Sequence, residues 1–376
     1  MALPDPERTR RNVGLAFFLL GLAVGGILLL LTFVGLPVAS GQGEMLAFMC
    51  LGAFVAFPAG ALYLTVPRLL DRYDPEPWYA LLGCLAWGAI AACGFSAVIN
   101  SLVGELVHAL VSERAGEIAG AVFCAPFVEE FWKGVCVAGV FYFLRREFDG
   151  VVDGIIYATF TALGFATVEN VIYYAEAAHA GADALTATFV LRGLIAPWGH
   201  PVFTSMTGIG FGLARETEKA WVRWIAPLAG YLGAVTLHMT WNGSATLADA
   251  LGEQGTAYFL CMLPVWLLFV TTFLAIVISL VRRRGRIIRQ YLEDEVALRR
   301  LTPAEVDLVC SAFGLLRARM RYGTAGAEFV RTCARLALSK WHSVRAQNQS
   351  QYTVSMDFVV PLRQRIAELR TQIGAR

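Results

Sequence analysis

The sequence predicts an all-α integral membrane protein with about eight transmembrane helices and a C-terminal cytoplasmic helical region. Apolar residues make up 57% of the 376 residues and charged residues only 16%, whereas soluble globular domains have about 25% charged residues. Eight stretches are apolar over the roughly 20 residues that a helix needs to cross a bilayer. The connections between them are basic on alternate sides of the predicted membrane. These observations exclude a disordered or ordinary soluble protein.

The predicted spans follow one another from the N-terminus to residue 281. They lie at residues 14–36, 45–66, 78–103, 118–144, 151–175, 188–213, 224–248 and 257–281. Arg8, Arg10 and Arg11 precede the first span, as basic residues also precede the apolar region of a signal peptide. The apolar run of the first span has about 22 residues, more than the roughly 7–15 of the apolar region of a signal peptide, so we expect an uncleaved helix.

Basic residues lie in every second connection between the predicted spans. They include Arg68, Arg145, Arg215 and a cluster at residues 282–289, whereas the alternate connections contain only Arg114. Because Lys and Arg are enriched on the cytoplasmic side, this pattern predicts a multi-pass protein with both termini in the cytoplasm. The strong preference for arginine over lysine is typical of GC-rich bacterial genomes, so we expect a bacterial cytoplasmic membrane.

The polar C-terminal part of the chain differs from the apolar part before it. This change predicts an eight-span membrane domain at residues 1–281 and a basic soluble helical region at residues 282–376. Residues 302–305 (TPAE) form a capping box with proline at the first helical position. Residues 326–341 and 358–370 are predicted to form further helices.

Charged and strongly polar side chains are concentrated in the fourth to seventh predicted spans. A charge at the bilayer centre costs at least about 2.5–3.5 kcal/mol on insertion scales, so such residues are functional candidates. At 1.5 Å per residue, Glu129, His200 and His238 lie roughly 17, 18 and 15 Å from the outer ends of their spans. Glu169 lies roughly 9 Å from the outer end. The set comprises Glu129, Glu130, Lys133, Glu169, Asn170, Arg192, His200, His238 and Asn242.

Several of these residues also have a purely structural interpretation. Lys133 is spaced to pair with Glu129 at i,i+4 or with Glu130 at i,i+3 on one helix. His200 precedes Pro201, and a histidine can satisfy a backbone carbonyl that a proline kink leaves free.

The same holds for the remaining polar residues. His238, Trp241 and Asn242 share one helix face and are spaced for interhelical hydrogen bonds. Asp153 lies near a cytoplasmic helix end, where water can solvate it, and Arg192 can snorkel to the interface.

Two kinds of hydrolytic site fit this set of residues. In the first, a buried carboxylate acts as a general base for water, one histidine binds the same water, and a second histidine with an asparagine four residues later stabilises the oxyanion. In the second, Glu130, His200 and His238 are ligands of a zinc-like metal ion with an open position for water. Both would hydrolyse an amide inside a membrane, and the residues alone leave open whether any cofactor is used.

The motifs that carry these residues resemble those of one known family. Residues 127–134 (FVEEFWKG) look like the EExxK motif of PrsW-type intramembrane proteases. Residues 153–157 (DGIIY) and 164–170 (GFATVEN) resemble that family's next segment, and the later histidine motifs match at residues 200–201 (HP) and 238–242 (HMTWN). The resemblance covers roughly residues 50–280 and includes the order of the motifs.

This resemblance implies an α-helical, multi-span endopeptidase related to the CAAX-processing and bacteriocin-immunity membrane proteases. It implies that Glu129 is the general base, that His200 binds the water, and that His238 and Asn242 form the oxyanion site. Because CAAX-processing relatives place their basic residue one position further along than Lys133, either glutamate of the motif remains a candidate base. The supporting residues implied are Glu130, Lys133, Asp153, Glu169, Asn170 and Trp241.

The expected partners are the lipid bilayer and a membrane-protein substrate, such as an anti-sigma factor or a similar regulator, and no nucleic acid. Two other functions fit parts of the sequence. Buried Glu and His residues on interrupted helices occur in proton-coupled transporters, although we find no inverted repeat. A catalytically silent scaffold or receptor could use the basic tail, but the complete Glu, His, His and Asn set argues against it.

Overall fold

A computed structural model describes residues 6–145, 147–348 and 355–374, and within these ranges the regular elements are all helical. The α-helices are α1 (Pro6–Leu30), α2 (Leu36–Ala39), α3 (Met45–Tyr63), α4 (Thr65–Leu70), α5 (Trp78–Ala86), α6 (Cys93–Leu110), α7 (Glu113–Ile118), α8 (Ala125–Phe143), α9 (Val151–Ala180), α10 (Ala182–Thr188), α11 (Gly199–Glu216), α12 (Ala220–Ala250), α13 (Gly255–Ala297), α14 (Pro303–Cys310), α15 (Gly314–Asn348) and α16 (Ser355–Gly374). The prediction of an all-α protein is confirmed.

The chain divides into two compact units. The first contains Met1–Pro67 and Glu76–Phe273, and the second contains Arg68–Pro75 and Leu274–Arg376. The division after Phe273 lies inside α13, the helix that also contains the predicted boundary at residue 281.

Five helical stretches among the described residues are long and apolar enough to cross a membrane. They are Arg8–Ala39, Met45–Leu70, Trp78–Leu110, Val151–Ala180 and Gly252–Ala297. The other predicted spans, at residues 118–144, 188–213 and 224–248, are helical over most of their length. They contain most of the predicted site residues, namely Glu129, Glu130, Lys133, Arg192, His200, His238, Trp241 and Asn242. The count of eight and the location of the termini stay predictions.

Helix α9 forms the core of the first unit, where it packs against α3, α5, α8 and α11. Its small residues let neighbouring backbones approach closely. A Cβ atom on Gly154 would lie 2.1 Å from the carbonyl oxygen of Gly208, and one on Gly164 would lie 2.1 Å from that of Leu85. Close backbone approach through small residues is a general mode of helix association in membranes.

We expect Gly88→Val to destabilise the first unit because Gly88 packs against the backbone of α9. A Cβ atom at this position would lie 1.9 Å from the carbonyl oxygen of Thr161, and overpacking typically costs about 1–3 kcal/mol. Thermal unfolding in detergent should show a lower midpoint. Gly139→Ala is the matched control, since a Cβ atom there meets nothing within 4 Å. Equal midpoints for the two variants would contradict this account of the packing.

Four π-helical segments interrupt the α-helical stretches of the described chain. They are Leu31–Gly35, Trp87–Ala92, Ala119–Cys124 and Phe189–Ile195. Such segments are rare and frequently occur at functional sites. The third leads directly into α8, and the fourth carries Arg192. Sequence periodicity did not predict these segments.

The second unit contains the C-terminal helices. Helix α14 begins with the predicted capping box, since Thr302 and Glu305 exchange side-chain to backbone hydrogen bonds and Pro303 follows the cap. The predicted helices at residues 326–341 and 358–370 are confirmed within the longer helices α15 and α16.

A buried carboxylate connects three elements of this second unit. Glu295 is 1% exposed, and its Oε1 lies 2.5 Å from an Arg363 nitrogen and 3.1 Å from Lys340 Nζ. Its Oε2 lies 3.4 Å from Arg300. These partners offset the cost of burying the charge of Glu295.

Candidate functional site

Helix α8 supplies two adjacent carboxylates and one ammonium group to the interior of the first unit. Glu129, Glu130 and Lys133 are 6%, 0% and 0% exposed. Lys133 Nζ lies 2.6 Å from Glu130 Oε1 and 3.8 Å from Glu129 Oε2. Both pairings expected from helical spacing therefore form, and the closer one is with Glu130. The ammonium also lies 4.3 Å from the centre of the Phe165 ring.

Glu130 is held by groups from three helices. Besides Lys133 on its own helix, it accepts a 2.8 Å hydrogen bond from the Thr204 hydroxyl on α11. Its Oε1 also lies 3.1 Å from His238 Nδ1 on α12. Because charge-assisted hydrogen bonds are the strong ones, these three contacts fix the carboxylate firmly. Glu130 is therefore well placed to position other groups.

Glu129 has far fewer partners. Its Oε1 lies 3.4 Å from Asn100 Nδ2 on α6. Its Oε2 is buried and has no hydrogen-bond partner among the described residues. Buried polar atoms are usually satisfied, so an exception calls for an explanation such as a catalytic role or an ion. This oxygen lies 3.9 Å from His238 Nε2 and 3.8 Å from Lys133 Nζ.

His200, at the start of α11, connects α8 with α9. Its Nδ1 lies 3.1 Å from Lys133 Nζ, and its Nε2 lies 2.9 Å from Glu169 Oε2. Glu169 also pairs closely with Arg192, whose Nε donates a 2.7 Å hydrogen bond to Asn170 Oδ1. Arg192 is thus paired inside the site, so its charge is accommodated there without the side chain having to extend to the membrane interface. Since an ammonium only donates, His200 accepts at Nδ1 and donates from Nε2.

The two histidines and one glutamate converge on a common point. The ring centroids of His200 and His238 are 5.0 Å apart, with an angle of 88° between the rings. One ligand atom from each of Glu129, His200 and His238 lies within 4.8 Å of the others. The structure thus groups Glu129, rather than the predicted Glu130, with the two histidines.

This donor set fits a zinc-like metal ion. One carboxylate and two imidazoles leave a position open for water, as in catalytic zinc sites. Each histidine has a carboxylate partner on one ring nitrogen, Glu169 for His200 and Glu130 for His238, which is typical of histidines that bind metals. Glu129 Oε2, which is buried without a hydrogen-bond partner among the described residues, is available as the third ligand atom.

Three predicted residues lie outside this convergence. Asn242 donates a 2.9 Å hydrogen bond to the carbonyl oxygen of Ala121 in a π-helical segment. The Trp241 ring packs on Trp266, with centroids 4.5 Å apart. Asp153 accepts a hydrogen bond from the backbone nitrogen of Asp149.

The distance of Asp153 from the site follows from helix geometry. It lies 16 residues before Glu169 on the same helix α9, and 1.5 Å per residue places it roughly 24 Å away along the axis. Asp153 therefore stabilises the start of α9 and does not contact the histidines.

Sequence reasoning missed Thr204 and Asn100, which contact the two glutamates. Thr204 lies four residues after His200, so it shares a helix face with that histidine, and this spacing was an available signal. For Asn100, the one feature of the sequence that could have indicated a role in the site is its position in an otherwise apolar span. Hydroxyl and amide side chains are common in transmembrane helices, so neither residue stands out in the sequence.

Comparisons with known proteins agree with the motif resemblance. Residues 76–269 match the family model described as PrsW family intramembrane metalloprotease. Protease PrsW of Geobacillus kaustophilus is 29% identical over 160 residues, which is 43% of this chain and 65% of that protein. Protease PrsW of Bacillus subtilis is 27% identical over 167 residues, 44% of this chain and 70% of that protein.

A further relative matches a shorter part of the chain. Protease PrsW of Clostridioides difficile is 36% identical over 107 residues, 28% of this chain and 43% of that protein. The chain thus spans just under two thirds of the length of the Geobacillus relative. No solved structure matches the chain. The matched family region contains every residue of the convergent cluster.

Proposed function

The chain belongs to the PrsW family of intramembrane metalloproteases, and from this premise we propose that it hydrolyses peptide bonds of membrane-associated proteins. One observation carries the proposal. Glu129, His200 and His238, from three different helices, place their ligand atoms within 4.8 Å of one another, in a region of the chain that is largely apolar. A substrate peptide bond must reach this point to be cleaved.

We assign Glu129, His200 and His238 as the residues that hold the metal ion. When bound, the ion lowers the pKa of a coordinated water and polarises the substrate carbonyl. Glu130 accepts a hydrogen bond from His238 Nδ1 and so leaves the Nε2 lone pair on the Glu129 side. Glu169 does the same for His200 through Nε2. His200 Nδ1 is then the ligand atom, and the Lys133 ammonium, which lies 3.1 Å from it, would have to move aside when the ion binds. The Lys133 ammonium is a cation at the site that can stabilise a developing oxyanion.

A metal-independent mechanism is the second candidate, and the position of Lys133 favours it. Its ammonium already lies 3.1 Å from His200 Nδ1, so a cation is present without an added ion. Glu129 would then take a proton from water while the water oxygen attacks the peptide carbonyl carbon. His238 would stabilise the oxyanion, and the proton would pass to the leaving amine as the C–N bond breaks.

One experiment separates these mechanisms. Protein purified without chelator is analysed for bound metal by elemental mass spectrometry and is incubated with a panel of single-span membrane proteins, with and without a strong zinc chelator. Cleavage lost with the chelator and restored by zinc supports the metal site. Cleavage that resists the chelator supports the glutamate mechanism. Neither bound metal nor cleavage of any panel member would count against a protease and favour a transporter or scaffold.

We expect Glu169→Gln to weaken metal binding and activity about 10–100-fold, the usual effect of changing a residue that orients a metal ligand. The substitution keeps the size of the side chain but removes the charge paired with Arg192 and His200. Zinc affinity is measured by competition with a fluorescent chelator. Glu176→Gln, an exposed position on the same helix, is the control and should bind zinc like the wild type. Unchanged affinity in Glu169→Gln would exclude this orienting role.

The proposed substrates are membrane proteins, with regulators such as anti-sigma factors as one class to include in the panel. We also propose a bacterial cytoplasmic membrane as the location, with both termini in the cytoplasm. The basic connections support this orientation through the preference of Lys and Arg for that side.

A further inference from the structure

An apolar groove runs between α1, α5 and α8 of the first unit, on the side of α8 away from the histidines. Its volume is about 1250 Å³, larger than the roughly 300–1,000 Å³ of typical small-molecule pockets. Aromatic and aliphatic side chains form nearly all of its wall, among them Phe17, Phe18, Trp87, Phe95 and Trp132. Such a surface fits hydrocarbon.

The length of the groove fits one leaflet of a bilayer. On α8 its lining extends from Trp132 to Phe143 and on α1 from Arg11 to Val24. At 1.5 Å per residue these stretches are roughly 17 and 20 Å long. One leaflet contributes about half of the roughly 30 Å hydrocarbon core, whereas a spanning helix needs all of it. The groove therefore suits a lipid better than a transmembrane segment.

One end of the groove is basic. Arg11 lines it, and the guanidinium groups of Arg10 and Arg145 each lie 5.6 Å from the centre of the Tyr142 ring. Among the described residues, the acidic groups that act on Tyr79 at this end are Glu147, whose carboxylate lies 3.3 Å from the Tyr79 hydroxyl, and Glu76, so the three arginines outnumber them. All three belong to the connections that the charge pattern places on the cytoplasmic side.

We propose that this groove is a binding site for an anionic diacyl phospholipid of the cytoplasmic leaflet. The acyl chains fill the apolar part, and the headgroup phosphate contacts Arg10, Arg11 and Arg145. Arginine suits this role because its planar fork donates two parallel hydrogen bonds to phosphate. Basic pockets between transmembrane helices on the cytoplasmic side are a known form of lipid recognition. The assignment does not depend on proteolytic activity.

A bound lipid would also support the wall that separates the groove from the candidate site. Trp132 is the neighbour of Lys133, its ring stacks on Phe95 with centroids 4.1 Å apart, and its carbonyl oxygen accepts a 2.9 Å hydrogen bond from Trp87 Nε1. These aromatic residues line the inner end of the groove. Lipid binding should therefore stabilise the protein against heat.

The test uses the full chain in detergent, titrated with dioleoyl phosphatidylglycerol or dioleoyl phosphatidylcholine and observed by native mass spectrometry. We expect one phosphatidylglycerol to bind tightly and phosphatidylcholine weakly. Arg10→Gln/Arg11→Gln/Arg145→Gln should weaken phosphatidylglycerol binding about 100-fold. Arg282→Gln/Arg283→Gln/Arg286→Gln removes three basic residues elsewhere and should bind like the wild type.

A second variant blocks the apolar part and leaves the arginines intact. Gly139 lines the groove, and a Cβ atom there meets nothing within 4 Å, so Gly139→Trp should fill it without disturbing the helix. We expect loss of the bound lipid and of the rise in unfolding temperature that the lipid gives the wild type. Wild-type affinity in both the arginine variant and Gly139→Trp, or equal affinity for the two lipids, would overturn the proposal.

Discussion

We expect Glu129→Gln to abolish the proposed peptide-bond hydrolysis, with a loss of about 10³-fold or more, since both proposed mechanisms, general-base and metal catalysis, depend on that carboxylate. The side chain keeps its size, and its Oε1 contact with Asn100 is compatible with an amide oxygen. The oxygen that loses its charge is Oε2, which has no hydrogen-bond partner among the described residues. The fold should therefore survive. Cleavage is followed by mass spectrometry on the substrate panel, with thermal unfolding measured in parallel.

Two further variants make this result specific. Glu105→Gln removes an exposed carboxylate from α6 and should cleave like the wild type. His200→Ala should be as inactive as Glu129→Gln, because it removes a second member of the convergent group. Full activity in both Glu129→Gln and His200→Ala would refute the assignment of the site.

The polar residues of the site were predictable because a membrane makes them costly. Glu129, His200 and His238 stand out in apolar stretches, and helix rise alone placed them at similar depths. The pairing of Lys133 with Glu130 follows from i,i+3 spacing on one helix. Contacts within one helix can be predicted without knowing the fold. To predict that residues of different helices lie near one another, it is enough to know that they lie at a common depth.

The sequence did not predict which of the polar residues at that depth contact one another. Rotation of each helix about its axis decides whether Glu129 or Glu130 faces the histidines, and an uncertainty of a turn in the helix ends leaves this rotation undetermined. The π-helical segments change the rotation again, because each adds a residue to a turn. One such segment also brings the Ala121 carbonyl to Asn242, which the sequence had placed at the oxyanion site.

In the second unit too, contacts between neighbouring residues were predictable and contacts between distant residues were not. Its capping box at Thr302 was read directly from the sequence because both partners lie within one turn. The ion pairs of Glu295 with Lys340 and Arg363 join residues that are far apart in the chain. This basic region contains many arginines, and the residues around each of them do not indicate which one pairs with Glu295.

Lys133→Met destabilises the first unit by about 3–5 kcal/mol, the usual cost of removing one partner from a buried ion pair. The ammonium is fully buried 2.6 Å from Glu130 Oε1. Without it, the partners that the carboxylate keeps among the described residues are the Thr204 hydroxyl and His238, and its charge stays in a region of low polarity. Methionine replaces most of the hydrocarbon part of the lysine side chain, so the lost stability reflects removal of the charge rather than formation of a cavity. Thermal unfolding of the purified protein in detergent measures the change.

A double-mutant comparison distinguishes an uncompensated charge from lost packing. Lys133→Met/Glu130→Gln removes both charges, and it should be more stable than Lys133→Met alone, because replacing a whole buried pair is often close to neutral. Arg114→Met is the control for an exposed pair: Arg114 and Glu117 are 49% and 58% exposed, and such pairs contribute roughly 0–1 kcal/mol. If the double variant is no more stable than Lys133→Met, the lysine acts through packing. Lys133 would then not be the charge that allows two adjacent carboxylates to be buried in this helix.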